Sequence, residues 1–208
     1  MAKVLYVKVN PKADEQSYSS RLANAFLEEY KTLHPEDEVE KLDLYKEEIP
    51  FLDVDVFSAW GKFASHDELT EVEREKAQHM DQLTNQFLEA DKVIFSAPFW
   101  NLSFPPMMKA YIDTICIAGK TFQYTEKGPV GLVPDKPVLL IEARGGIYSV
   151  GPAAEMEFSQ KYLKTVMNFM GIQSFTPFII EGLHLDPAKE ELIYQEAEQK
   201  IKEMAAEF

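Results

Sequence analysis

Positive charge is scarce in this sequence, cysteine is nearly absent, and no apolar run is long. Lys and Arg number 21 against 35 Asp and Glu, a net charge of −14. Nucleic acids and anionic membrane surfaces both call for a basic face, so neither is expected as a partner. One cysteine, Cys116, excludes an internal disulfide and fits a reducing compartment. It lies in the apolar run 112–117 with no histidine close in sequence, which suits a buried structural thiol better than a nucleophile. No segment reaches the roughly 18 apolar residues of a membrane span. The start, Met-Ala-Lys and then a strand, lacks the apolar core of a signal peptide, so a cytoplasmic location is expected. Two phosphate-binding motifs are also missing. Without Gly-x-Gly-x-x-Gly after a strand a tightly bound dinucleotide is not expected, and without Gly-x-x-x-x-Gly-Lys-Ser/Thr the nucleoside triphosphatases drop out. Residues 92–132 carry no metal-ligand or proton-shuttle pattern.

What is present is an alternation of strands and helices over 208 residues, a length that suits one domain spanning 1–208. Apolar, β-branched-rich runs predict strands at 3–10, 39–44, 91–97, 137–143 and 174–181. Helical spacing begins after Ser17 or Ser19, with Leu22, Phe26, Tyr30 and Leu33 on one face. Further helices are predicted at 53–63, 69–88, 105–117 (Pro105 at the start), 158–170 (Gly171 as the cap) and 186–208. This alternation predicts a parallel sheet with helices on both faces, and the flavodoxin-like strand order 2-1-3-4-5 is the one expected for five strands. In that order ligands bind where strands one and three diverge, which selects the loops 10–20, 97–105 and 143–152.

Loop one enters a helix through Ser17-Tyr18-Ser19-Ser20. Hydroxyls and unpaired N–H groups at a helix N-terminus suit a phosphate dianion, although serines there also serve as plain caps. Loop two, Pro98-Phe99-Trp100-Asn101-Leu102-Ser103-Phe104-Pro105-Pro106, offers aromatic surface, an amide and stiff backbone, a bed for a flat conjugated ring or a subunit contact. Loop three, Ala143-Arg144-Gly145-Gly146, has glycines that admit a close ligand or positive φ, and is equally a plain turn. Lys109, Lys120, Lys127 and Arg144 are the cations in or near these loops, each read singly as an ordinary solvated side chain. His34, His66, His79 and His184 read as surface or structural, with His184 after the fifth strand placed to approach the site.

These residues resemble the FMN-dependent NADH-azoreductases, a flavodoxin-like family also described as quinone reductases. The likeness rests on Pro98-Phe99-Trp100-Asn101 with Pro105 and Lys109, on the block 119–125 (Gly-Lys-Thr-Phe-Gln-Tyr-Thr) with Gly128-Pro129 and Gly131-Leu132, on Arg144-Gly145-Gly146, and on Glu181-Gly182. It implies one noncovalent FMN per subunit, with Ser17, Tyr18 and Ser19 at the phosphate. Phe99, Trp100, Asn101 and Leu102 would line the isoalloxazine ring, Ala143, Arg144, Gly145 and Gly146 its other edge, and Tyr124 would stand beside the substrate cavity. It further implies NADH or NADPH as co-substrate, reduction of quinones and cleavage of azo compounds by a ping-pong scheme, and a homodimer with active sites at the interface. Asn10 and Ala143 stand where the family often has serine. No acid–base residue is nominated. The rival readings are an FMN electron carrier without pyridine-nucleotide turnover, an FAD-containing quinone reductase of related fold, and a ligand-free interaction module.

Overall fold

The computed structural model describes all of residues 1–208. Its centre is a five-stranded parallel sheet built from β1 (Lys3–Lys8), β2 (Glu38–Asp43), β3 (Lys92–Pro98), β6 (Val138–Ala143) and β7 (Phe175–Ile180), in the spatial order β2-β1-β3-β6-β7. The expected order of the five sheet strands is therefore observed, but the chain contains two more strands. β4 (Phe122–Thr125) and β5 (Gly128–Gly131) pair as a separate antiparallel hairpin that the sequence reading did not separate out.

Central strands of a parallel sheet are buried on both faces, which is why they read as unbroken apolar runs. Val4 and Tyr6, Ile94, Leu139 and Ile141 face α1 (Tyr18–Leu33) and α6 (Glu190–Met204), where Leu22, Phe26, Tyr30, Tyr194 and Ile201 complete one half of the core. Leu5, Val7, Val93, Phe95, Val138 and Leu140 face α3 (Glu71–Glu89), α4 (Pro106–Ile115) and α5 (Gln160–Met170), with Phe87, Met108, Tyr111, Leu163 and Met167 completing the other. Truncating a fully buried ring such as Phe26 would cost about 3–5 kcal/mol. The remaining helix, α2 (Val54–Ser65), packs on α3 and leaves Val54, Phe57 and Phe63 exposed.

Local chemistry sets the element ends. Asp53 caps α2 through the amides of Asp55 and Val56, and Thr70 with Glu73 forms a reciprocal capping box on α3. α5 stops at Gly171, whose φ of 111° few other residues would accept. The same turn receives the base of the hairpin. A Cβ added at Gly131 would stand 2.2 Å from the Gly171 nitrogen, so only glycine allows the two backbones to meet. The C-terminus of α3 is closed differently: the buried Lys136 ammonium donates to the carbonyls of Phe87 (2.6 Å), Leu88 (3.2 Å) and Ala90 (2.6 Å). Both arrangements lie at the amino end of the strands. The loops selected from the sequence gather at the opposite, carboxyl end.

Candidate functional site

Loop one is held from below by Lys8, the last residue of β1. Its buried ammonium pairs with Asp14 at 2.8 Å and Asp43 at 3.3 Å and donates to the Lys12 carbonyl at 3.1 Å. Burial would disfavour the Asp14 carboxylate, but hydrogen bonds from Lys8, Asn24 and Lys41 win and hold its pKa at about 2. Lys8 is thus neutralised locally and is not a free cation for an anionic ligand. Asn10 orders the next residues, donating to Ser17 Oγ at 2.7 Å and accepting from the Lys12 amide at 3.0 Å. The amide standing where the family often has serine is a builder of this loop.

Ser17 caps α1, its Oγ accepting from the Ser20 amide at 3.3 Å, while the Arg21 amide bonds the Ser17 carbonyl. The amides of Tyr18 and Ser19 have no acceptor in the chain, as expected for a first helical turn. The Ser20 hydroxyl is buried without a partner. Two free donors and an orphaned hydroxyl at a helix N-terminus make a fitting phosphate seat. Tyr18 differs from Ser17 and Ser19: its phenol donates to Glu190 at 2.7 Å and its ring lies 5.7 Å from that of Tyr194. Its side chain belongs to the α1–α6 seam, which leaves only its backbone at the mouth.

Loop two is a two-residue reversal. Trp100 and Ser103 exchange amide–carbonyl bonds of 2.6 and 3.0 Å, so Asn101 (φ 48°) and Leu102 (φ 70°) both adopt the left-handed conformation. Asparagine tolerates this conformation, whereas leucine is held there at a cost of about 1–2 kcal/mol. Such strain persists only where surroundings over-determine it, and here the Phe158 amide clamps the Leu102 carbonyl at 3.0 Å. The amides of Asn101 and Leu102 are left without acceptors. The Phe99 amide bonds the Ala143 carbonyl at 3.0 Å, and its ring lies 4.6 Å from that of Tyr148, tying loop two to loop three.

In loop three the carbonyls of Arg144, Gly145 and Gly146 accept from the amides of Leu183 (3.4 Å), His184 (2.9 Å) and Gly182 (3.0 Å). Carbonyl and N–H point opposite ways across a trans peptide. The amides of Gly145, Gly146 and Ile147 therefore turn away from the 182–184 segment, and all three lack an acceptor in the chain. Neither Gly145 nor Gly146 has positive φ, so that part of the expectation fails. Their value is space: a Cβ on Gly145 would lie 2.6 Å from His184 Nδ1, and one on Gly146 3.1 Å from the Tyr148 ring. His184 accordingly reaches loop three, as its position after the fifth strand suggested.

Arg144 corrects the sequence reading. Only 1% exposed, it pairs with Glu142, Glu157 and Glu181, so its guanidinium is not solvated and is engaged inside the protein. Lys109 pairs with Asp113, and Lys120 with Asp81. Cys116 is half-buried; burial, then the Asp113 charge, push its thiol up, which keeps it protonated and inert. Tyr124 lies on the β4–β5 hairpin, outside the three loops in sequence. It is exposed on the hairpin with Phe122 as its ring neighbour, and Phe122 rests on Phe169 near the far end of α5. The chain contains no cluster of His, Cys, Asp and Glu able to hold a metal.

The sequence reading singled out neither Ile147, Tyr148 and Ser149 nor Glu142 and Glu157. A signal existed for Glu142, because a carboxylate inside the apolar run 137–143 has to find a buried partner. Seven unpartnered amides, at Tyr18, Ser19, Asn101, Leu102, Gly145, Gly146 and Ile147, with Phe99, Trp100 and Tyr148 beside them, fit a ligand carrying a phosphate and a flat heteroaromatic ring.

A family model described as flavodoxin-like fold matches residues 2–205. The FMN-dependent NADH:quinone oxidoreductase of Geobacillus kaustophilus is 52% identical over the full length of both chains. An FMN-dependent NADH:quinone oxidoreductase of Bacillus subtilis is 49% identical, also over both full lengths. Among solved structures, an azoreductase from Bacillus anthracis superposes with a TM-score of 0.94 at 46% identity, covering both chains completely. An FMN-dependent NADH-azoreductase from the same species, solved in complex with FMN, gives a TM-score of 0.94 at 35% identity over 100% of this chain and 99% of its own.

Proposed function

The chain belongs to the flavodoxin-like family of FMN-dependent NADH:quinone oxidoreductases, and from that premise we propose that residues 1–208 form one FMN-binding domain whose mouth reduces quinones and cleaves azo compounds at the expense of NADH. The observation that carries this reading is the set of seven unpartnered amides on three loops of different sequence origin, all at the carboxyl end of one parallel sheet. Tyr18 and Ser19 N–H groups, with the hydroxyls of Ser17, Ser19 and Ser20, would hold the phosphate. Phe99 and Trp100 would cover the ring, and the amides of Asn101, Leu102, Gly145, Gly146 and Ile147 would meet its polar edges.

Bound FMN would supply the redox chemistry, taking hydride from a pyridine nucleotide and passing two electrons to a quinone, with two such rounds needed to cleave an azo bond to two amines, in a ping-pong scheme if one cavity serves both. The protein's share is positional. A loop strained at Leu102 and clamped by Phe158 loses little freedom on binding, and fixed amides can stabilise negative charge that grows on a reduced ring without reorganising. Apolar rings exclude water.

The homodimer is part of the proposal. Exposed Phe51, Val54, Phe57 and Phe63 on and before α2 form apolar surface of the kind a second copy covers. Tyr124 stands exposed on the hairpin, and its proposed place beside the acceptor would be completed by that second copy. Light scattering coupled to gel filtration tests it. A cytoplasmic location accords with a pyridine-nucleotide donor. The activity is tested by an anaerobic visible spectrum of the purified protein with NADH and then a quinone. A flavin band bleached by NADH and restored by quinone is expected, whereas a flavin that NADH fails to reduce would make the protein an electron carrier. Heating to release the flavin, followed by chromatography, distinguishes FMN from FAD.

A further inference from the structure

Arg144 is among the largest fully buried side chains of the molecule, yet it opens a ligand loop. Its Nε donates to Glu142 at 2.5 Å and its Nη1 to Glu181 at 2.9 Å, and Nη2 lies 3.2 Å from Glu157. Its guanidinium carbon lies 5.0 Å from the centre of the Phe99 ring, within cation–π range. One side chain thus touches the end of β6, the entrance to α5, the end of β7 and loop two. The carboxylates have distinct tasks. Glu157 receives the amides of Ser159 and Gln160 at 2.8 and 2.7 Å and so closes the start of α5. Glu181 receives the Tyr148 amide at 2.9 Å, the Ser149 amide at 3.3 Å and the Ser149 hydroxyl at 2.5 Å. It therefore grips the backbone directly after the unpartnered amides of Gly145, Gly146 and Ile147. Burial works against the Glu181 carboxylate, but these donors and Arg144 hold it below the usual carboxylate range.

We propose that Arg144 and Glu181 are positioning residues that latch loops two and three from beneath into the shape that receives the flavin ring, without themselves touching it. The proposal rests on the FMN reading of the mouth. Two pins set loop three: the 182–184 amides fix the carbonyls of 144–146, and Glu181 fixes 148–149. Between them only the N–H faces remain for a ligand. Arg144 holds Glu181 in place and, through Phe99, carries the same restraint to loop two. Lysine could not do this, because a single ammonium cannot span three carboxylates as a planar fork does.

The test is FMN titration of wild-type apoprotein, Glu181→Gln, Arg144→Lys and, as a stability control at the far end of the sheet, Lys136→Met. Flavin fluorescence quenching gives the dissociation constant, visible circular dichroism of the bound flavin reports its setting, and thermal melts of the apoproteins report the fold. We expect Glu181→Gln to weaken FMN roughly tenfold, about the value of one hydrogen bond to a charged group, and to change the visible dichroism. Glu181→Asp, which keeps the charge, should recover part of both, while Lys136→Met should lower the melting temperature with unchanged FMN affinity. If Glu181→Gln fails to fold, Arg144→Lys is read in its place, with the same expectation. Wild-type FMN affinity and dichroism in the variant that folds would overturn the latch while leaving the FMN reading standing. FMN loss that merely tracks the melting temperature, as strongly in Lys136→Met as in Glu181→Gln, would likewise reduce Arg144 and Glu181 to general stabilisers. A wild-type protein that takes up no FMN would remove the reading and the latch together.

Discussion

Strand β6 carries a buried cation just beyond each end, and the two are satisfied in opposite ways. Before it, Lys136 donates to three neutral carbonyls at the end of α3; after it, Arg144 is held by three carboxylates at the ligand mouth. The first arrangement closes a helix with groups that had no other partner, and burial draws the Lys136 ammonium down to about 8. The second concentrates more negative than positive charge in a dry place, and burial pushes the Glu142 carboxyl up despite the neighbouring guanidinium. Its yield is loop geometry. Glycines follow the same division. Gly131 and Gly171 make room for backbone at the far end, whereas Gly145 and Gly146 make room for the side chains of His184 and Tyr148 at the mouth. One end of the sheet joins backbone to backbone, and the other, on the function proposed above, holds a shape for a ligand.

The largest effect that could break this contrast is expected at the far end. Gly131→Ala sets a Cβ 2.2 Å from the Gly171 nitrogen, and backbone cannot step aside. Urea unfolding should show a loss of about 3 kcal/mol, with the surviving folded protein binding FMN as before. Lys136→Met leaves three carbonyls without a donor and should cost about 1–3 kcal/mol in the same assay, again sparing FMN. A drop in flavin affinity in either variant would show that the two ends are not independent.

At the mouth the balance should reverse. Gly145→Val meets the movable His184 ring, so the melting temperature should change little while FMN is not retained; wild-type flavin content would detach loop three from the cofactor. Leu102→Gly exchanges left-handed strain for backbone freedom, terms of similar size, so stability should stay within about 1 kcal/mol of wild type. The looser loop should nonetheless bind FMN more weakly, as read by fluorescence quenching. The smallest effect is a pH dependence. Glu157 and Glu181 both have carboxyls lowered by their donors, so their contribution is present above the ordinary carboxylate range and fades as pH falls through their depressed values. FMN affinity should follow the second ionisation of its own phosphate, at about pH 6, equally in wild type and Glu181→Gln, and the further loss from these carboxylates should be confined to below about pH 4. A loss near neutrality that differs between the two proteins would point to a different titrating group.

How much of this was legible in the sequence follows from which physics each feature used. Strands such as 137–143 and the helix face Leu22-Phe26-Tyr30 were visible, because apolar periodicity is local. The strand order and the three loops at the mouth followed from topology. The hairpin did not, since three of the four residues of its second strand, Gly128, Pro129 and Gly131, ordinarily interrupt strands. The burial of Arg144 was hidden because its partners lie 13 and 37 positions away, at Glu157 and Glu181. Asn101 hinted at a left-handed turn; Leu102 gave no such hint, because its conformation is imposed by the Trp100–Ser103 bonds and by Phe158. Tyr18 shares a motif with its serine neighbours, but its side chain leans into the α1–α6 seam, which local sequence does not reveal.

The central claim is that unpartnered amides at the mouth hold the cofactor. Amide hydrogen exchange of the apoprotein with and without FMN tests it directly. Protection should appear at Tyr18, Ser19, Asn101, Leu102, Gly145, Gly146 and Ile147, with no change around Gly131, Lys136 and Gly171. Protection confined to other segments, or none while FMN is bound, would contradict the account.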